Sequence, residues 1–134
     1  MKHIKPFNEN KISDLDKAKD FCETYLANLL DDDRYELELL DLAPFEAISL
    51  KLWRKISVAR DIIKWEHVKD HLIPFLFVLN KEYKVISLSF DRYISPLGYN
   101  DKASREVQMN IQDVINDDYE VPEKFYQIKI EFFE

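Results

Sequence analysis

The sequence predicts an α+β domain: a mainly antiparallel sheet of about four strands, with two or three helices packed on one face. Three observations carry this. Two long stretches repeat apolar residues at helical spacing, and four others alternate apolar with polar residues. The 134 residues are 46% hydrophobic and 13% aromatic, enough to fill one core, and no linker, internal repeat or low-complexity tract divides them. Alternation on the strands implies a sheet with one buried face and one more polar face.

Residues 1–12 read as a flexible lead-in. Ser13 fits an N-cap, with Asp16 three residues on forming a capping box. Leu15, Ala18, Cys22, Tyr25, Leu26 and Leu29 then recur at helical spacing, predicting an amphipathic helix over residues 14–30. It runs into Asp31-Asp32-Asp33, an unusual stop, because acids at a helix C-terminus oppose the macrodipole.

Over residues 34–41, Tyr35, Leu37 and Leu39 alternate with Arg34, Glu36 and Glu38, as in a strand. Ala43-Pro44 marks a turn. Ile48, Leu50 and Leu52 alternate with Ser49, Lys51 and Trp53, and this second strand extends to Ile56, making an antiparallel hairpin.

Within residues 61–83, Trp65, Val68, Leu72, Phe75, Leu76, Leu79 and Tyr83 fit a helix. Pro74 sits inside that run, where it removes one helical hydrogen bond and clashes with the Asp70 carbonyl. A kinked helix is the expectation; the alternative ends the helix near Leu72 and makes Phe75–Leu79 a strand.

Ile86, Leu88 and Phe90 alternate with Ser87, Ser89 and Asp91, giving a strand over 84–94. Pro96 and Gly98 place a loop over 95–100. Ala103, Val107, Ile111 and Val114 suggest a helix over 102–116, although Val107, Met109 and Ile111 also suit a strand. An acidic loop follows to Pro122, and alternating Tyr126, Ile128, Ile130 and Phe132 form a C-terminal strand. The expected order is α-β-β-α-β-α-β within one domain, 1–134.

Composition excludes several function classes. Gly98 is the only glycine, so neither a P-loop nor a dinucleotide-binding loop is present, since both need glycines where backbone approaches phosphate. No cofactor is expected. Cys22 is the only cysteine, which rules out an internal disulfide and a cysteine-based zinc cluster. It falls on an apolar helix stripe and reads as a small buried hydrophobe. No segment reaches the ~18 apolar residues of a membrane span. The N-terminus carries no apolar stretch behind its lysines, so no secretory signal is read there and a reducing cytoplasm is the expected location.

The net charge of −7 is unevenly spread. Residues 1–46 hold 6 Lys and Arg against 12 Asp and Glu; residues 47–92 hold 9 against 5; residues 93–134 hold 4 against 9. Two acidic ends therefore flank a basic middle. The overall sign disfavours nucleic acid as a partner. The middle stretch Lys51, Arg54, Lys55, Arg60, Lys64, Lys69 does interleave Trp53 and Trp65, a composition that can grip a single strand but also describes a strand followed by an ordinary helix.

His67-Val68-Lys69-Asp70-His71 is the most enzyme-like string. Histidines at i and i+4 share a helix face and can share a metal ion. The pattern H-x-x-D-H is similar to the inverted zinc-protease motif H-x-x-E-H, with the shorter Asp in place of Glu. His71 also borders Val68 and Leu72 on the apolar stripe, where it can serve packing alone. Carboxylates cluster twice, at Asp31, Asp32, Asp33, Glu36 and Glu38, and at Asp113, Asp117, Asp118, Glu120 and Glu123. Such clusters can hold a cation, though their spacing matches no EF-hand, and they equally make solvated surface. No serine lies in a G-x-S-x-G elbow.

The opening MKHIKPFNEN resembles the N-termini of small uncharacterised phage proteins, which begin with Met-Lys, an Ile-Lys pair and then Phe with an acidic or amide residue. The likeness covers ten residues and implies a phage or mobile-element accessory protein. The leading functional expectation is a non-catalytic interaction module or inhibitor whose acidic surface meets a basic protein partner. Its contact residues would be Asp31, Asp32, Asp33, Glu36 and Glu38, with Asp117, Asp118 and Glu120 second. The alternatives are a virion component and a small metal-dependent hydrolase using His67 and His71.

Overall fold

A computed structural model of the protein describes residues 4–56, 59–93 and 105–133. In chain order its elements are α1 (Ile4–Tyr25), α2 (Ala27–Leu30), β1 (Tyr35–Asp41), β2 (Ile48–Ile56), β3 (Ala59–Asp61), β4 (Ile63–Lys64), α3 (Trp65–Glu82), β5 (Lys84–Arg92), β6 (Glu106–Gln108), α4 (Ile111–Ile115) and β7 (Lys124–Phe133). The fold is α+β with one antiparallel sheet, in the order β1-β2-β7-β5-β6; β3 pairs with β2, and β4 pairs with β7.

β7, the last strand in sequence, is central in space. Its Ile128, Ile130 and Phe132 are fully buried. They stand opposite Leu52, Leu50 and Ile48 on β2, and opposite Phe90, Leu88 and Val85 on β5. The intervening Gln127, Lys129 and Glu131 face the other side with Trp53, Lys51, Ser49, Asp91, Ser89 and Ser87. Period-2 alternation across three adjacent strands thus makes one apolar and one polar sheet face. Two bulges keep the faces in phase: Ile86 is an extra residue on β5 and Tyr126 an extra residue on β7.

The apolar face meets Ala18 and Cys22 of α1, Leu29 of α2, six residues of α3 and Val114 of α4 in one continuous core. Phe90 lies at its centre, with the Trp65 and Phe125 rings edge-on at 6.2 and 4.9 Å.

Among the described residues there are seven strands and four helices, against about four strands and two or three helices expected. The first helix starts at Ile4, ten residues before the expected start at residue 14, so Ser13 lies inside α1 rather than capping it. Pro6 does not prevent this, because the N–H groups of a first turn have no helical acceptor to lose. The helix is interrupted at Leu26, although Leu26 N still donates to Cys22 O and Leu30 N to Leu26 O.

α3 runs unbroken through Pro74, which is exposed, and the Phe75–Leu79 stretch is helix. Phe75, Leu76 and Leu79 are each wholly buried, and that burial outweighs one missing backbone bond.

The expected helix over 102–116 is corrected. Glu106–Gln108 is a strand paired with β5, while Ile111–Ile115 is helical as expected, capped by Asn110, whose side chain accepts from Gln112 N; residues 102–104 lie outside the described residues. Arg105 pins this crossing with a two-pronged bond to Asp91, at 3.2 and 3.1 Å. The loop expected over 95–100 lies outside the described residues.

Candidate functional site

Four segments of the chain meet at one end of the sheet. The turn from α2 into β1 supplies Asn28, Asp32, Arg34 and Tyr35; the β2–β3 hairpin supplies Arg54 and Asp61; the entry to α3 and the start of β7 supply Lys64, His67, His71 and Lys124. Together with Leu29 and Ile62 they line an open cleft of about 630 Å³, a size common in ligand pockets.

Local structure holds most of these side chains. Asp32 Oδ1 accepts from both the backbone N and the Nε of Arg34, at 3.0 and 3.2 Å, and its backbone oxygen accepts from Tyr35 N. Those bonds to Arg34 hold the Asp32 carboxyl below the usual carboxylate range. Arg54 and Asp61 are cross-strand neighbours joined by an ion pair, and the other Asp61 oxygen accepts from Ile62 N at 2.8 Å. The Arg54 guanidinium stands 5.8 Å from the Tyr35 ring centre. Burial pushes the Tyr35 hydroxyl above its ordinary value, with Arg54 opposing the shift, so the phenol remains a donor at neutral pH.

The cleft is cationic. Arg34, Arg54, Lys64 and Lys124 face only Asp32 and Asp61, and both carboxylates are already occupied by an arginine. His67 and His71 do lie together in the cleft, as their spacing suggested. Asp70, the acid of that string, is not part of its lining. Among the described residues no three His, Cys, Asp or Glu side chains come together to hold a metal ion. The hydrolase reading therefore finds its two histidines here without a third ligand in the described part of the chain.

The first acidic cluster divides. Asp32 is tied to Arg34, and Glu36 pairs with Lys55. Asp31, Asp33 and Glu38 are exposed and make no ion pair among the described residues. Glu38 lies on edge strand β1, opposite Lys51 in register.

In the second cluster, Asp117 is structural. Its Oδ1 accepts from the indole Nε1 of buried Trp65 at 2.7 Å, its Oδ2 from Lys69 Nζ at 3.1 Å, and these bonds lower its pKa. Asp118 Oδ1 accepts from Glu120 N at 2.9 Å, shaping the turn, and Glu120 is exposed. On α3, Trp65 and Lys69 flank one side of the buried stripe while His67 and His71 flank the other, since two helical positions differ by about 200°. The helix thus stands between Asp117 and the cleft.

The basic, tryptophan-bearing middle does not form one surface either. Lys51 and Trp53 belong to the polar sheet face, where Arg60 lies 4.8 Å over the Trp53 ring. Lys64 is in the cleft, and Trp65 is buried at 6% exposure, closed to any stacking base.

Sequence reasoning missed Arg34, Tyr35, Arg54, Asp61 and Lys124 as a group. Only strand register brings them together, and no local spacing signals that. No helix among the described residues is long and apolar enough to cross a membrane. Comparison with protein-family models, curated proteins and solved structures finds no match.

Proposed function

We propose that this chain is a non-catalytic interaction module, an accessory or inhibitor protein of a phage or mobile element, that receives a basic protein segment along the edge of β1. The observation that carries the reading is an open strand edge bearing exposed carboxylates, Glu38 and Asp41 on the strand and Asp31 and Asp33 just before it, that make no ion pair among the described residues.

The edge can be worked out from two bonds. Lys55 N donates to Arg34 O, and Leu42 N to Ala47 O, so the even-numbered residues of β1 are those hydrogen-bonded to β2. The odd-numbered residues point their backbone groups outward. Tyr35 N is used by Asp32 O. Leu37, Leu39 and Asp41 have no second strand among the described residues. An extended segment adding here would gain main-chain bonds to these three residues, as in strand-addition recognition.

The side chains select the segment. On the polar face it would stand beside Glu36 and Glu38, which favours Lys or Arg at alternate positions; on the other face it would meet Leu37 and Leu39, which favours apolar residues between them. Exposed Asp31, Asp33 and Asp41 add long-range attraction for a basic partner. The same acids disfavour a second copy of this chain, because edge-to-edge pairing would set carboxylate against carboxylate. The phage-like opening residues support the accessory assignment.

The test is capture from a lysate of the cell that carries the gene, comparing the native chain with the variant Asp31→Asn/Asp33→Asn/Glu38→Gln/Asp41→Asn. The reading expects a salt-sensitive partner that the variant no longer retains. Equal capture by both proteins would overturn it.

A further inference from the structure

Beyond the β1 edge, we infer that the cationic cleft is a binding site for the phosphate group of a small phosphorylated molecule. The cleft pairs Lys64 directly opposite Lys124 on the β4–β7 ladder. Like charges in cross-strand register repel, and neither lysine has a carboxylate partner among the described residues. Lys124 Nζ lies 5.9 Å from the Tyr93 ring, a contact that leaves its charge uncompensated. An anion between the two ammonium groups would relieve the repulsion.

Several other cations among the described residues are already engaged. Lys55 pairs with Glu36, Lys69 with Asp117, Arg105 with Asp91 and Lys129 with Glu131, and Arg60 bonds Gln127. In the cleft, by contrast, Asp61 is taken up by Arg54 and by Ile62 N, and Asp32 by Arg34. The two lysines are left as the available charge, with the imidazoles of His67 and His71 and the Tyr35 hydroxyl as further hydrogen-bonding groups around them. In a chain of net charge −7 this local positive concavity focuses the field on a compact anion. Its volume of about 630 Å³ suits a small molecule. Its separation from the polar-face cations does not suit a nucleic-acid strand, which needs a continuous track of charge.

Calorimetric and amide-NMR titrations with sodium pyrophosphate and with adenosine diphosphate test this at fixed ionic strength, with sodium chloride as the reference. The expected result is saturable one-site binding that moves the resonances of His67, His71 and Tyr35. Lys64→Ala/Lys124→Ala should weaken it about tenfold or more, while Lys51→Ala/Lys129→Ala on the polar face should leave it unchanged. Equal affinity for the two ligands identifies the inorganic anion as the ligand, and tighter binding of the diphosphate identifies a nucleotide; both support the site. Non-saturating shifts, equal weakening by both double variants, or binding of a single-stranded oligonucleotide without either small ligand would overturn it. All of the lysines concerned are exposed or half-buried, and unchanged amide spectra of the free variants confirm that their fold is intact.

Discussion

Asp117 lies in the left-handed backbone region, with φ of 55°, and its carboxylate holds the indole N–H of Trp65 and the ammonium of Lys69. Asp117→Ala removes both roles. Trp65 is 6% exposed, and an orphaned buried donor costs about 1–3 kcal/mol. The Asp117 side chain is 41% exposed, so water can reach the vacated position and the lower end, about 1 kcal/mol, applies. Alanine in the left-handed region adds about 1–2 kcal/mol, and the solvent-exposed Lys69 pair adds little. The expected loss is about 2–3 kcal/mol. Asp117→Gly, which tolerates the backbone but lacks the acceptor, should lose about 1 kcal/mol. Asp117→Asn keeps an acceptor and tolerates positive φ, so it should lose less than about 1 kcal/mol. Urea unfolding followed by tryptophan fluorescence and circular dichroism gives all three values. Asp117→Ala within about 0.5 kcal/mol of the native chain, or Asp117→Asn as damaging as Asp117→Ala, would refute the reasoning. The pH dependence has a defined sign. Because the folded carboxyl sits below its ordinary value, its contribution is complete above about pH 4 and is lost as pH falls through that lower folded value.

Two further predictions follow from the core. Cys22 is wholly buried, and burial pushes its thiol up to about 12 from 9.0. It should therefore resist a thiol reagent at pH 8 until the chain unfolds, and stability should decline between about pH 9 and 12 as the unfolded thiol ionises first; rapid modification of the native protein would contradict this. Phe90→Ala, which empties the ring cluster with Trp65 and Phe125, should lose about 3–5 kcal/mol in the same urea assay, and a loss below about 1 kcal/mol would show that the rings do not close the core.

The strands that pair over long runs were legible in the sequence. β2, β5 and β7 bury one face each, so Leu50, Leu88 and Ile130 announce themselves by period alone. β3 and β4 are three and two residues long, too short for any period, and form on the ladders that β2 and β7 offer them. Within the helix expected over 102–116, Ile111–Ile115 is helical but Glu106–Gln108 is a strand: Val107 fits either period, and β5, whose Phe90 stands opposite Val107, decides it. At the site, the i, i+4 spacing of His67 and His71 was readable, whereas their neighbours Arg54, Asp61 and Lys124 converge through register. The acidic clusters were visible as charge, but not which acids were already committed: Asp32, Glu36 and Asp117 have partners, while Asp31, Asp33 and Glu38 have none among the described residues.

The central claim is that β1 presents an open acidic edge to a basic segment. Residue-resolved amide hydrogen exchange, with and without a short peptide alternating lysine and valine, tests it most directly. In the free protein the amides of Glu36, Glu38 and Leu40 should be protected by β2 while those of Leu37, Leu39 and Asp41 exchange rapidly. The peptide should slow the latter three. Protection of Leu37, Leu39 and Asp41 in the free protein, or their continued rapid exchange at saturating peptide, would contradict the account.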